Sequence, residues 1–192
     1  MNHKVTFQES RMIKTTILLF VTGGLFSIIP EGDPIFLIFN LSLSLIAGVL
    51  FYVFWKKLKH HRKRYYSLLS FVMINVIAIY FAMPLLRIYF LTITFWIGVV
   101  VLLIMNILPY LYSREIAFGI QKPNKSKLGK IYTIYTILIL FFGSIAYSNG
   151  LVTQQADALT IAIITFLFSI LFFFISPIML IKPKEMDKIV ND

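Results

Sequence analysis

The stretch YYSLLSFVMINVIAIYFAMPLLRIYFLTITFWIGVVVLLIMNILPYLYS, residues 65–113, holds one charged side chain, Arg87. As a single helix, its 49 residues would extend about 74 Å. A bilayer's hydrocarbon core is only about 30 Å thick and is crossed by about 20 apolar residues. The stretch must therefore double back. Its weakest helical point is Met83-Pro84-Leu85-Leu86-Arg87. Pro84 lacks an N–H and disfavours helix in the residue before it, and Arg87 calls for water or headgroups. The turn is expected there. The alternative is a turn at 91–94, with Arg87 snorkelling from a helix end.

Working outward, stretches free of Asp, Glu, Lys, Arg and His recur at 15–29, 35–55, 131–148 and 159–181. The sequence thus predicts an all-α integral membrane protein, a six-transmembrane-helix bundle with both termini cytoplasmic. The helices are expected at 13–29, 35–55, 66–84, 89–112, 131–148 and 159–181. They form one membrane domain over 15–181, between a cytoplasmic N-terminal segment at 1–14 and a tail at 182–192. The first span is short, and Lys14 can extend it by snorkelling. It reads as a retained helix, because Phe26-Ser27-Ile28-Ile29-Pro30 carries no small-residue cleavage pattern.

Composition agrees. The 192 residues are 59% hydrophobic and 14% charged, with mean hydropathy +0.86. A soluble domain is about 45–50% apolar and about 25% charged. The 19 Phe and 10 Tyr exclude a disordered chain. With no Cys, there are no disulfides, thiolate metal sites or cysteine nucleophiles.

The net charge of +10 is distributed unevenly. Lys4, Arg11 and Lys14 precede the first span, and Lys56, Lys57, Lys59, Arg62, Lys63 and Arg64 fill the second loop. Arg114, Lys122, Lys125, Lys127 and Lys130 fill the fourth loop, and Lys182, Lys184 and Lys188 lie in the tail. With six spans, all of these share one side, and only Arg87, with the acids Glu31, Asp33 and Asp157, lies on the other. Lys/Arg excess marks cytoplasmic loops. Attraction to anionic lipid headgroups explains the basic cluster 56–64 without a nucleic-acid partner. High Ile, Lys, Phe and Asn usage points to an AT-rich bacterial genome, and hence to the plasma membrane. An interfacial aromatic belt is expected from Trp55, Tyr65, Tyr66, Tyr110, Tyr112 and Tyr132, with Tyr89 and Tyr147 at the outer ends.

In lipid, helices associate through small residues and interhelical hydrogen bonds. Candidate seams are Asn40, Ser44, Ala47 and Phe51; Phe71, Asn75, Ala78 and Ala82; and Thr16, Phe20, Gly23 and Ser27. Two more run through Thr133, Thr136, Leu140, Gly143 and Tyr147, and through Ala162, Thr165, Ser169, Phe172 and Ser176. Asn75, Asn106, Tyr80, Trp96 and Thr136 are the candidate intramembrane polar contacts. Asn75 and Asn106 lie at comparable depth, about 13 Å and about 9 Å from their cytoplasmic ends.

The apolar stretches hold no Asp, Glu, His or Lys, the groups that mark proton relays and ion paths. His3, His60 and His61 lie in cytoplasmic segments, and no P-loop is present. No catalytic residue, cofactor or metal ligand is therefore expected. The expected role is that of a non-catalytic multi-pass protein, a regulatory or accessory subunit or an immunity-type protein. Its partners would be anionic lipid and a membrane protein or a second copy. One alternative is a small substrate-capture subunit with its site among the five polar residues. Another is a lipid-modifying enzyme near Arg114 and Glu115.

Overall fold

Each long apolar stretch of the sequence is helical in the computed structural model, which describes residues 4–153, 158–182 and 185–186. The helices are α1 (Met12–Ser27), α2 (Pro34–Leu58), α3 (Arg62–Ile88), α4 (Ile93–Leu111), α5 (Ser113–Gln121), α6 (Lys127–Thr153) and α7 (Ala158–Ile175). Short 3-10 turns follow α5 and α7, and the described residues contain no strand. His3, Asp157, Lys184, Asp187 and Lys188, and the side chain of Tyr147, lie outside the described residues.

Local chemistry fixes several boundaries. Asp33 caps α2 by accepting from the Ile35 N–H at 2.8 Å, with Pro34 at the first helical position. Lys56 and Lys57 complement the helix dipole at its other end. Thr92 Oγ1 caps α4 through the Phe95 N–H at 3.3 Å. Five helices (α2, α3, α4, α6 and α7) are long and apolar enough to cross a membrane. The 16 residues of α1 are equally apolar but shorter, about 24 Å. This architecture is compatible with a multi-pass membrane protein.

Helix α3 is the hub, packing against α1, α2 and α7, while α4 and α6 flank α7 from outside. Leu19, Phe51, Leu69, Val72 and Val76 fill the space between α1, α2 and α3. Phe81 on α3 joins three helices at once, meeting Phe26 of α1 at 4.5 Å and Phe172 of α7 at 5.5 Å between ring centroids. The outer helices are sparsely covered. In α4 only Pro109 is buried, while Ile93 is 80% and Leu111 76% exposed. In lipid, such faces meet a medium as apolar as themselves, so their exposure carries little cost.

The basic segments meet at one end of the bundle, here called the basic end. The Val5 N–H donates to the Lys59 carbonyl at 2.8 Å, and Trp55 Nε1 donates to the Val5 carbonyl at 3.1 Å. Tyr65 and Tyr66 donate to the carbonyls of Ser10 and Glu9. Arg64 reaches the Leu180 carbonyl at 2.7 Å, and Ser67 donates to that of Met179. The segment before α1 is thus an arm folded over the α2–α3 turn, with Val5 and Ser10 buried.

Several boundaries differ from expectation: α1 ends at Ser27 rather than 29, α2 runs to Leu58 rather than 55, α3 starts at Arg62 rather than 66, and α7 gives way to a 3-10 turn after Ile175, short of 181. The turn between the third and fourth helices lies at 89–92 rather than at 83–87, and α3 continues through Pro84 to Ile88. Pro84 is itself buried in the packed face, so tertiary contact overrides its helix penalty. Arg87 needs no water because it meets main-chain carbonyls of the α1–α2 loop. Within the segment expected to be a loop at 113–130, α5 forms an additional helix, held by close approach of Gly119 to Gly129. Helix α6 accordingly begins at Lys127 rather than 131, and it runs to Thr153, past 148.

Candidate functional site

The densest polar grouping inside the bundle joins α1, α2 and α3. Asn40 Nδ2 donates to the Gly23 carbonyl at 3.1 Å and to Ser27 Oγ at 2.9 Å, and Ser27 Oγ donates to the same carbonyl at 2.7 Å. One turn along α2, Ser44 Oγ lies 3.0 Å from the Asn40 carbonyl oxygen and 2.6 Å from Tyr80 Oη. Tyr80 Oη is in turn 2.9 Å from that carbonyl. Asn40, Ser44 and Tyr80 are fully buried.

Three close contacts link two hydroxyls and one carbonyl, but only two hydrogens serve them. Either Tyr80 donates to Ser44 and Ser44 to the carbonyl, or Ser44 donates to Tyr80 and Tyr80 to the carbonyl. Both arrangements tie α3 to α2. Gly23 makes the approach possible, since a Cβ there would sit 3.1 Å from Tyr80 Cζ and 3.2 Å from Asn40 Cβ. Asn40 Oδ1 and, on α7, Ser169 Oγ are buried without a hydrogen-bond partner among the described residues. The cluster joins helices, and no surface leads a solute to its three central residues.

Arg87 closes the opposite end. Its Nη1 donates to the carbonyls of Ser27 at 3.1 Å and Ile29 at 2.9 Å, and its Nη2 to that of Glu31 at 2.8 Å. Asp33 Oδ2 lies 3.9 Å away, and the guanidinium sits 4.4 Å from the centroid of the Phe36 ring. Planar, forked donors suit this task, because the last carbonyls of α1 have no partner within their helix. Ser27 belongs to both groups. Its hydroxyl bonds Asn40 and its carbonyl is held by Arg87.

The polar residues singled out in the sequence are dispersed. Tyr80 is in the central cluster. Asn75 Nδ2 donates to Phe71 in its own helix at 2.8 Å, and Asn75 Oδ1 accepts from Ser176 at 3.5 Å. No hydrogen bond joins Asn75 to Asn106 among the described residues. Thr136 Oγ1 donates back to the Tyr132 carbonyl at 2.9 Å, and Trp96 is 56% exposed on α4 against the edge of Phe95. None of the cavities described below is lined by these five residues together. Asn40, Ser44, Ser27 and Gly23, which form the cluster with Tyr80, are legible in the sequence only as packing seams.

The described cavities lie at the periphery. At the basic end, a recess of about 370 Å³ is lined by Arg114, Glu115, Phe118, Lys125, Ser126, Lys127 and Leu128. An apolar groove of about 160 Å³ lies among α4, α6 and α7, lined by residues such as Met105, Ile131, Tyr132, Tyr135 and Phe174. No family model, curated protein or solved structure matches the chain.

Proposed function

We propose that this chain is a six-span plasma-membrane protein of bacterial type, with both termini in the cytoplasm. In this reading it works without catalysis, as an accessory, regulatory or immunity-type subunit that docks another membrane protein against α4. The carrying observation is a division of labour among the helices. The polar side chains at the centre of α1, α2 and α3 are engaged with one another and fully buried. Helix α4, by contrast, presents Val100, Leu103, Ile104, Ile107, Leu108 and Leu111 along one uncovered face. These positions recur at helical spacings of three and four, the pattern of a helix-packing seam. The segregation of Lys and Arg to one end supports the orientation.

A photo-reactive residue at Ile104, compared with one at the outward Ile17 of α1, tests the docking face in intact membranes. The reading expects a discrete adduct with one membrane protein at Ile104 and only lipid adducts at Ile17. Lipid adducts alone at both positions overturn it. Reporter fusions test the topology separately. Fusions after 60, 120 and 192 should report cytoplasm, and one after 31 should report the outside.

A further inference from the structure

We infer that the basic end carries a built site for one anionic phospholipid, with its headgroup in the α5–α6 recess and an acyl chain in the groove between α4 and α6. The inference uses the membrane reading of the chain and is independent of partner docking.

The recess gives the charge preference. Arg114, Lys125 and Lys127 line it against one acid, Glu115. Lys122 extends the positive field from beside Phe118, its Nζ 5.7 Å from that ring's centroid. Among the described residues, no ion pair engages Lys125 or Lys127, and both are exposed. Arg114 meets Glu185 at 3.5 Å, but both partners are open to solvent and such pairs are weak. The recess, about 370 Å³, is an open hollow reachable from the surface, and Ser126 adds a hydroxyl to its lining.

The groove gives the chain preference. It is lined without polar surface by Met105 of α4, Ile131, Tyr132 and Tyr135 of α6, and residues of α7 that include Phe174. Leu128 borders the recess, and both it and Phe174 pack against the buried cluster of Ile116, Ala117 and Ile178. Along α6, Leu128, Ile131, Tyr132 and Tyr135 follow at spacings of three and four, so recess and groove succeed one another on one helix face. A charged hollow at the end of a helical bundle, continued by an apolar furrow towards its middle, matches the two halves of a phospholipid. The basic loop at 56–64 has its own contacts with the arm and with Leu180, and contributes no residue to this recess.

Native mass spectrometry of the full chain in mild detergent tests this. The protein is offered equal amounts of phosphatidylglycerol and phosphatidylcholine with identical chains. The wild type should retain phosphatidylglycerol preferentially, and K125Q/K127Q should lower that preference by about tenfold, whereas K56Q/K57Q, in the diffuse basic cluster at 56–64, should lower it by no more than about twofold. I131W, which fills the groove, should reduce adducts of both lipids. Soluble glycerol 3-phosphate should not displace the lipid, which separates a lipid site from a phosphate site. An unchanged preference in K125Q/K127Q, or an equal loss in K56Q/K57Q, overturns the inference. Displacement by glycerol 3-phosphate with no effect of I131W overturns the acyl-chain half. Should the double variant lose its melting transition, R114Q provides the same comparison.

Discussion

Tyr80 and Ser44, 36 residues apart in sequence, bring their hydroxyl oxygens within 2.6 Å of each other in the fully buried middle of the bundle. Water cannot reach this pair, so each hydroxyl depends on the other and on the Asn40 carbonyl. Interhelical hydrogen bonds in membrane proteins contribute about 0.6 kcal/mol on average and up to about 1.7 kcal/mol. Tyr80→Phe should therefore destabilise the protein by an amount in that range. It leaves Ser44 free to donate to the Asn40 carbonyl, and the ring remains packed. Thermal melting in detergent is the measurement, and a variant melting with the wild type would remove the pair from the list of interhelical ties.

Gly23 and Gly24 form an internal control. A Cβ at Gly23 meets Tyr80 and Asn40 at 3.1–3.2 Å, whereas one at Gly24 meets nothing within 4 Å. Gly23→Ala should cost about 1–3 kcal/mol through overpacking. Gly24→Ala should be neutral or stabilising by up to about 1 kcal/mol, because alanine is the better helix former. Denaturant unfolding of the two variants side by side decides the matter. Equal effects would mean that α1 does not approach α3 this closely.

Arg87→Lys keeps the charge and loses the fork. One ammonium group cannot reproduce the guanidinium's three carbonyl contacts. Each hydrogen bond to a charged group is worth about 1.5–3 kcal/mol, and the lysine variant should lose at least one. The loop at 28–33 should then open locally, with faster amide hydrogen exchange there than in α2. Exchange that stays at wild-type rates in Arg87→Lys would show that charge alone suffices.

At the other end, Gly129→Ala should detach α5 from α6, since a Cβ at 129 would collide with the Gly119 carbonyl group and with Pro123. Overpacking against main chain has little room to relax, so a loss of about 1–3 kcal/mol is expected. Limited proteolysis should show new cleavage at 113–126. The same pattern in wild type and variant would argue against the close crossing.

Much of the packing is legible from spacing alone. The seam Asn40, Ser44, Ala47 and Phe51 comprises the buried residues of α2, and Ala162 and Ser169 are buried on α7 as their spacing suggests. The seam proposed for the fifth span fails at Leu140, which is 55% exposed, while Ile139 beside it is buried. Periodicity gives the phase of a face but does not name the helix it meets. Chain order suggests that α3 pairs with α4, placing Asn75 near Asn106. Instead α3 packs chiefly against α7, and Asn75 meets Ser176.

Arg87 and α5 were hidden for different reasons. The value of Arg87 lies in carbonyls that every sequence possesses, and only the path of the α1–α2 loop brings them within reach. Helix α5 has nine residues, too few to persist alone, and it forms against α6 and the end of α7. The recess beside it depends on that crossing.

The folded-back arm also implies an order of events during synthesis. Val5, Glu9 and Ser10 find their hydrogen-bonding partners at Trp55, Lys59, Tyr65 and Tyr66. This segment, synthesised before α1, therefore cannot take its seat until two further helices are threaded or emerging. Its docking acts as a latch on a finished three-helix unit, closed from the side where translation takes place if the basic end faces the cytoplasm.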